Sequence, residues 1–118
     1  MRIVYLAGPY RGKTRDGASY NEIEANIRQA EKAAIALWDA GFGVFCPHLN
    51  TAHFEVKSTT PPELYLQADL RMLDACTDIL MLPGWKESAG AKRELHRARE
   101  LGLAVYYSLE GLLSEVAR

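Results

Sequence analysis

No run of about 18 consecutive apolar residues occurs, the length a helix needs to cross a bilayer, and the Met1 to Ala7 opening is too short for the apolar core of a secretion signal. The chain is therefore expected in the cytoplasm, away from membranes. Cysteine is scarce: in a chain without an export signal, Cys46 and Cys76 are expected to be reduced and partly buried, not bridged. Neither sign of charge is in excess, since 14 Lys and Arg stand against 15 Asp and Glu for a net −1. That balance gives no reason to expect a nucleic-acid or membrane-surface partner, while a small anion needs only local groups. Repeats and low-complexity tracts are absent. What is present is 48% hydrophobic and 25% charged over 118 residues, the balance of a soluble globular domain. Residues 1–118 are read as a single domain, able to bury roughly 65% of its unfolded surface without disulfide or metal staples.

Strand-like and helix-like periods alternate along the chain. Ile3 to Ala7 is a short apolar run closed by Gly8-Pro9 and reads as a buried strand with a polar, Gly-rich loop after it. Ser19 to Glu22 has capping-box spacing, and Ile23, Ile27, Ala30, Ala34 and Leu37 recur at helical intervals up to Gly41. Gly43 to Cys46 is a second strand ended by Pro47, and residues 48–59, with neither period, read as a loop over the site. Thr60-Pro61-Pro62-Glu63 repeats the capping spacing, with Leu66, Leu70 and Leu73 on one face of a second helix. Asp78 leads into Ile79 to Leu82, an apolar run suited to a central strand covered on both faces. Ser88 starts a helix with Ala91, Leu95, Ala98 and Leu101 as its stripe. Leu103 to Tyr107 is the fourth strand, and Ser108 opens a terminal helix. The order βαβαβαβα predicts a three-layer open parallel sheet of about four strands, flavodoxin- or Rossmann-like, with ligands beyond the carboxyl ends of its strands.

The loops at those ends carry the candidate chemistry. Gly8-Pro9-Tyr10-Arg11-Gly12-Lys13 places two glycines and two cations where backbone N–H groups can approach an anion, yet it is neither the dinucleotide fingerprint nor a Walker loop. A plain turn with solvated charges accounts for it equally well. Tyr5 puts a phenol inside a strand where an aliphatic residue would pack as well, the alternative being an ordinary core tyrosine. Ser88 to Gly90 opens a helix whose unpaired N–H groups suit an anion, and Ser88 serves either as cap or as phosphate contact. Glu94 borders that helix's buried stripe, where the helix dipole is expected to keep it ionised as a nucleophile. Asp69 sits between Leu66 and Leu70, positioned to reach the same crevice, unless Arg71 makes it ordinary helix surface. Paired carboxylates serve glycosidic chemistry. Cys46, His48 and His53 lack a recognised zinc spacing, so no metal or other cofactor is expected, and His48 is placed as a donor or ring contact to a ligand.

Val4 to Gly12, Gln67 to Leu70 and Ser88 to Leu95 together resemble the nucleoside 2-deoxyribosyltransferase superfamily, over residues 3–107. The resemblance is closest to the 2′-deoxynucleoside 5′-monophosphate N-glycosidases and to small bacterial and phage proteins grouped beside them as a domain of unknown function. It implies that Glu94 attacks the anomeric carbon, Tyr5 orients it and Asp69 assists the leaving base. It also implies that His48 lies near the nucleobase and Ser88 holds the 5′-phosphate, with Gly8, Arg11, Gly12 and Gly90 among the binding residues. Members of the superfamily continue well past the last strand and supply residues to a neighbouring subunit's site, whereas this sequence runs 24 residues beyond Glu94, from 94 to 118. A homo-oligomer is expected on that ground. Pro9-Tyr10 replaces smaller residues and narrows or re-aims the pocket. The expected activity is hydrolysis of a deoxynucleoside monophosphate to free base and 2-deoxyribose 5-phosphate. Base exchange and nucleotide sensing without catalysis are the alternatives.

Overall fold

The structure is a computed structural model, and it describes residues 1–11 and 20–116. Four parallel strands, β1 (Ile3–Ala7), β2 (Gly43–Phe45), β3 (Asp78–Met81) and β4 (Ala104–Tyr106), form a sheet in the order β2-β1-β3-β4. The helices between and after them are α1 (Tyr20–Asp39), a single turn α2 (Pro47–Asn50), α3 (Pro62–Leu73), α4 (Ala89–Leu101) and α5 (Leu109–Val116). The predicted three-layer parallel architecture is the observed one.

Alternation along the strands divides the core in two. Val4, Leu6, Leu80 and Leu82 face α1 and α5, where Ala30, Ala34, Leu37 and Leu112 pack against them. Tyr5, Ala7, Ile79 and Met81 point the other way, toward Leu73 of α3 and Ala91, Leu95 and Ala98 of α4. Both central strands are buried on both faces, which is why their sequences are apolar runs and not alternating patterns. Tyr5 pairs in register with Phe45 on one side and Ile79 on the other. Its phenol is therefore committed by strand register to the α3/α4 layer.

At the amino ends of the strands, Arg2 and Asp78 close the sheet. Asp78 is buried and accepts from Nη2 of Arg2 at 2.6 Å and from the Thr77 hydroxyl at 2.5 Å, while Arg2 also reaches the Tyr106 hydroxyl at 3.3 Å. The Asp78 carboxylate holds the guanidinium's proton affinity above its usual value. Cys46 and Cys76 are buried and unbridged. Among the described residues no helix is long and apolar enough to cross a membrane.

Two expectations need correction. The stretch 48–59 is not plain loop: it folds into α2 and a 3-10 turn at Phe54–Val56. Thr60 does not cap α3, because Pro61, extended at φ −63° and ψ 142°, occupies the cap position and no side chain serves there. A residue that precedes proline is driven out of the helical region, so Pro62 shifts the helix start by one residue. The Ser19 cap and Gly12 lie outside the described residues.

Candidate active site

β1 has β2 on one side and β3 on the other, so the chain leaves these strands in opposite directions and a crevice opens at their carboxyl ends. The two loops flanking it touch. The amide of Leu82 donates to the Ala7 carbonyl at 2.7 Å, and a Cβ on Gly8 would lie 2.8 Å from Cβ of Leu82. Gly84 adopts φ +89° against the Pro9 ring, a left-handed conformation that suits glycine. These contacts fix where the loops leave the sheet.

Three titratable side chains converge below them. The Tyr5 hydroxyl donates to Oε2 of Glu94, with Tyr5 0% and Glu94 8% exposed. Burial pushes the Glu94 carboxyl up to about 8, the nearby Asp69 charge adds to the shift, and the Tyr5 hydrogen bond opposes it. Burial likewise raises Asp69 to about 6. Tyr5 is raised far above the usual phenol range by burial and by the adjacent Glu94, so it stays a donor. The expectation that the helix dipole keeps Glu94 ionised is thus overturned: desolvation of a carboxylate removed from water outweighs a dipole acting from the first turn. Asp69 takes no partner in Arg71, and its charge acts on both Tyr5 and Glu94.

His48 follows β2 and is 4% exposed. Its Nε2 lies 2.9 Å from the Pro9 carbonyl oxygen, and burial lowers its proton affinity against the opposing pull of the Pro9 and Gly8 backbone. A neutral ring donating from Nε2 leaves Nδ1 as an acceptor, and Nδ1 has no hydrogen-bond partner. Tyr10 stands 5.9 Å from the His48 ring, donates to Oε1 of Glu55 at 2.6 Å and accepts from the His53 amide at 2.8 Å. His53, in a left-handed conformation at φ 61°, meets Glu24 of α1 at 2.8 Å and stacks on Tyr20. Tyr10 and His53 thus clasp the first loop, α1 and the 53–56 turn together, a contact no local sequence pattern reports. Cys46, His48 and His53 do not form a common ligand set, and among the described residues no group of His, Cys, Asp and Glu is arranged to hold a metal ion.

On the far side of the crevice, Ser88 caps α4: its hydroxyl oxygen accepts from the Ala91 amide at 3.1 Å. The hydroxyl proton is left for another acceptor. Gly90, the second residue of α4, is uncrowded, since a Cβ there would meet only Leu66 at 3.7 Å and the Ser88 hydroxyl at 4.0 Å. Arg11 is exposed, and its carbonyl lies 3.4 Å from the Asn26 side-chain amide. Sequence reasoning missed Tyr65, whose buried hydroxyl has no partner. Its spacing of four residues before Asp69 on the same helix was the available signal.

The parallel sheet, its strand order and the crevice define a deoxyribosyltransferase-like α/β fold. The chain belongs to the family described as a domain of unknown function, DUF4406, whose model matches residues 2–107. Among solved structures it is similar to a conserved protein from Enterococcus faecalis V583, with a TM-score of 0.61 and 22% identity over 89% of this chain and 61% of that one. It is also similar to a 2-desoxiribosyltransferase from Leishmania mexicana, with a TM-score of 0.55 and 17% identity over 89% of this chain and 62% of that one. The chain spans about three fifths of the length of these two structures. No curated protein matches it.

Proposed function

We propose that the chain hydrolyses the N-glycosidic bond of a 2′-deoxynucleoside 5′-monophosphate. The observation that carries this reading is the buried Tyr5–Glu94 hydrogen bond with the Asp69 charge acting on it. Tyr5 occupies Oε2 of Glu94, so Oε1 is the oxygen left to attack C1′. As the C1′–N bond breaks, its electron pair goes to the base, and a proton from Asp69 neutralises the departing nitrogen. Water then attacks C1′, gives its proton to Asp69 and frees Glu94, so the products are free base and 2-deoxyribose 5-phosphate.

The raised proton affinities fit this division of labour. With Asp69 near about 6 and Glu94 near about 8, the pair holds one proton around neutral pH. Moving it from Glu94 to Asp69 creates nucleophile and acid together without exchanging charge with solvent. In this reading the 5′-phosphate lies at the start of α4, with the Ser88 hydroxyl donating to it, Gly90 admitting it closely and Gly8 and Arg11 closing the other side. His48 faces the base. A second copy of the chain is part of this reading, and sedimentation measures it.

Base exchange uses the same covalent intermediate, and the fold shared with the Leishmania transferase makes it the second reading. One experiment addresses both: deoxynucleoside monophosphates are incubated with the protein, with and without a labelled acceptor base, and the products are separated by chromatography. Free base that disappears in Glu94→Gln supports hydrolysis, label entering a nucleotide supports exchange, and release that survives the substitution removes Glu94 from the mechanism.

A further inference from the structure

Tyr65 lies on α3 four residues before Asp69, so the two side chains share a flank of the helix. In a right-handed crossover the helix runs against the strands, and its first turns stand at their carboxyl ends. Tyr65 is therefore one turn further out over the crevice than Asp69. The residue is half-buried, yet its hydroxyl oxygen is shielded from solvent and has no hydrogen-bond partner. Its ring meets Phe54 edge-on at 6.5 Å. Phe54 sits between His53 and Glu55, which hold Tyr10, and Tyr10 in turn adjoins His48 with its own unpartnered Nδ1. The 53–56 turn is thus the link between two shielded polar atoms, a hydroxyl that donates and an imidazole nitrogen that accepts.

Shielded polar groups without partners are rare in native proteins, because they forfeit the hydrogen bonds they make with water. A site that leaves such groups to be satisfied by its ligand discriminates strongly against ligands that do not satisfy them. Resting on the glycosidase reading, we propose that Tyr65 is a specificity-determining residue whose hydroxyl donates to an acceptor on the leaving nucleobase. The substrate class is narrowed to bases that present a hydrogen-bond acceptor toward α3.

The test compares the wild-type chain with Tyr65→Phe, which removes only the hydroxyl, and with Tyr65→Leu, which keeps apolar contact with Phe54. Calorimetry measures binding of the common deoxynucleoside monophosphates and of 2-deoxyribose 5-phosphate, which has no base. Tyr65→Phe is expected to raise the Kd of the tightest nucleotide about three- to tenfold, the worth of one neutral hydrogen bond, with Tyr65→Leu at least as weak. The Kd of 2-deoxyribose 5-phosphate stays unchanged and the melting temperature of the free protein is equal or higher. Equal weakening of both ligands, no weakening, or a lower melting temperature for Tyr65→Phe overturns the assignment. Wild-type protein that binds 2-deoxyribose 5-phosphate but no nucleotide overturns the base-reading role alone, and protein that binds neither overturns the glycosidase reading with it.

Discussion

Tyr5 on β1 donates its phenolic proton to Glu94 on α4, 89 residues away along the chain, with both side chains buried. The phenol's hydrogen bond works against the desolvation that raises Glu94. This bond therefore eases the release of a proton that burial holds on Glu94.

Replacing Tyr5 with Phe keeps the ring in the core and removes the donor. The Glu94 carboxyl is expected to titrate above the value of about 8 that it has with the phenol in place, read from its carbon resonance in a pH series. A buried acceptor left without its partner costs about 1–3 kcal/mol of stability, measurable by urea unfolding.

The carboxyl pair predicts a bell-shaped rate profile with limbs at about 6 and about 8. Below the lower limb both groups are protonated and Glu94 cannot attack; above the upper limb both are ionised and no proton reaches the base. Stability follows the same groups with a definite sign. Folding raises both proton affinities, so the folded chain binds more protons and its advantage is full below about pH 4, then falls as pH rises through about 8, by up to about 5 kcal/mol for Glu94. Unfolding curves for Glu94→Gln should show most of that slope gone; an unchanged slope would sink the assignment.

Two glycines separate packing from binding. Gly8→Ala puts a Cβ 2.8 Å from Cβ of Leu82, which forces β1 and β3 apart and costs about 1–3 kcal/mol. Gly90→Ala meets nothing closer than 3.7 Å and gains helix propensity of up to about 1 kcal/mol. Its stability should hold or rise while its affinity for a nucleotide phosphate falls, as shown by urea unfolding and calorimetry on the same samples.

Asp78 lies at the other end of the sheet, so Asp78→Asn isolates the scaffold from the site. Losing the charge opposite Arg2 is expected to lower stability by about 1–3 kcal/mol. The rate of base release at a temperature where the variant is folded should equal that of the wild type.

Much of this arrangement is legible in the sequence. Short apolar runs closed by Gly8-Pro9, Pro47 and Pro83-Gly84 mark strands, and the spacing of Ile23, Ile27, Ala30 and Leu37 marks α1, because burial on both faces or on one face leaves different periods. Ser88 reads as a cap and is one. Residues 53–56 are not legible, since the turn is held by Tyr10, Glu24 and Tyr20 from distant segments and not by its own pattern. The protonation of Glu94 is hidden for a related reason: a helix dipole can be placed from sequence, whereas desolvation depends on Tyr5 and the packing around it.

The pairing of β1 with β3, which sets Val4 beside Asp78, brings together segments separated by more than half the chain. Closing so long a loop is slow and comes at an entropic penalty that local contacts cannot offset, so it belongs to the cooperative folding step. Tyr5 and Glu94 meet only after that step. Fraying of a terminus or a loop leaves their bond intact, and the amide of Tyr5 should exchange with solvent only as fast as the whole molecule unfolds.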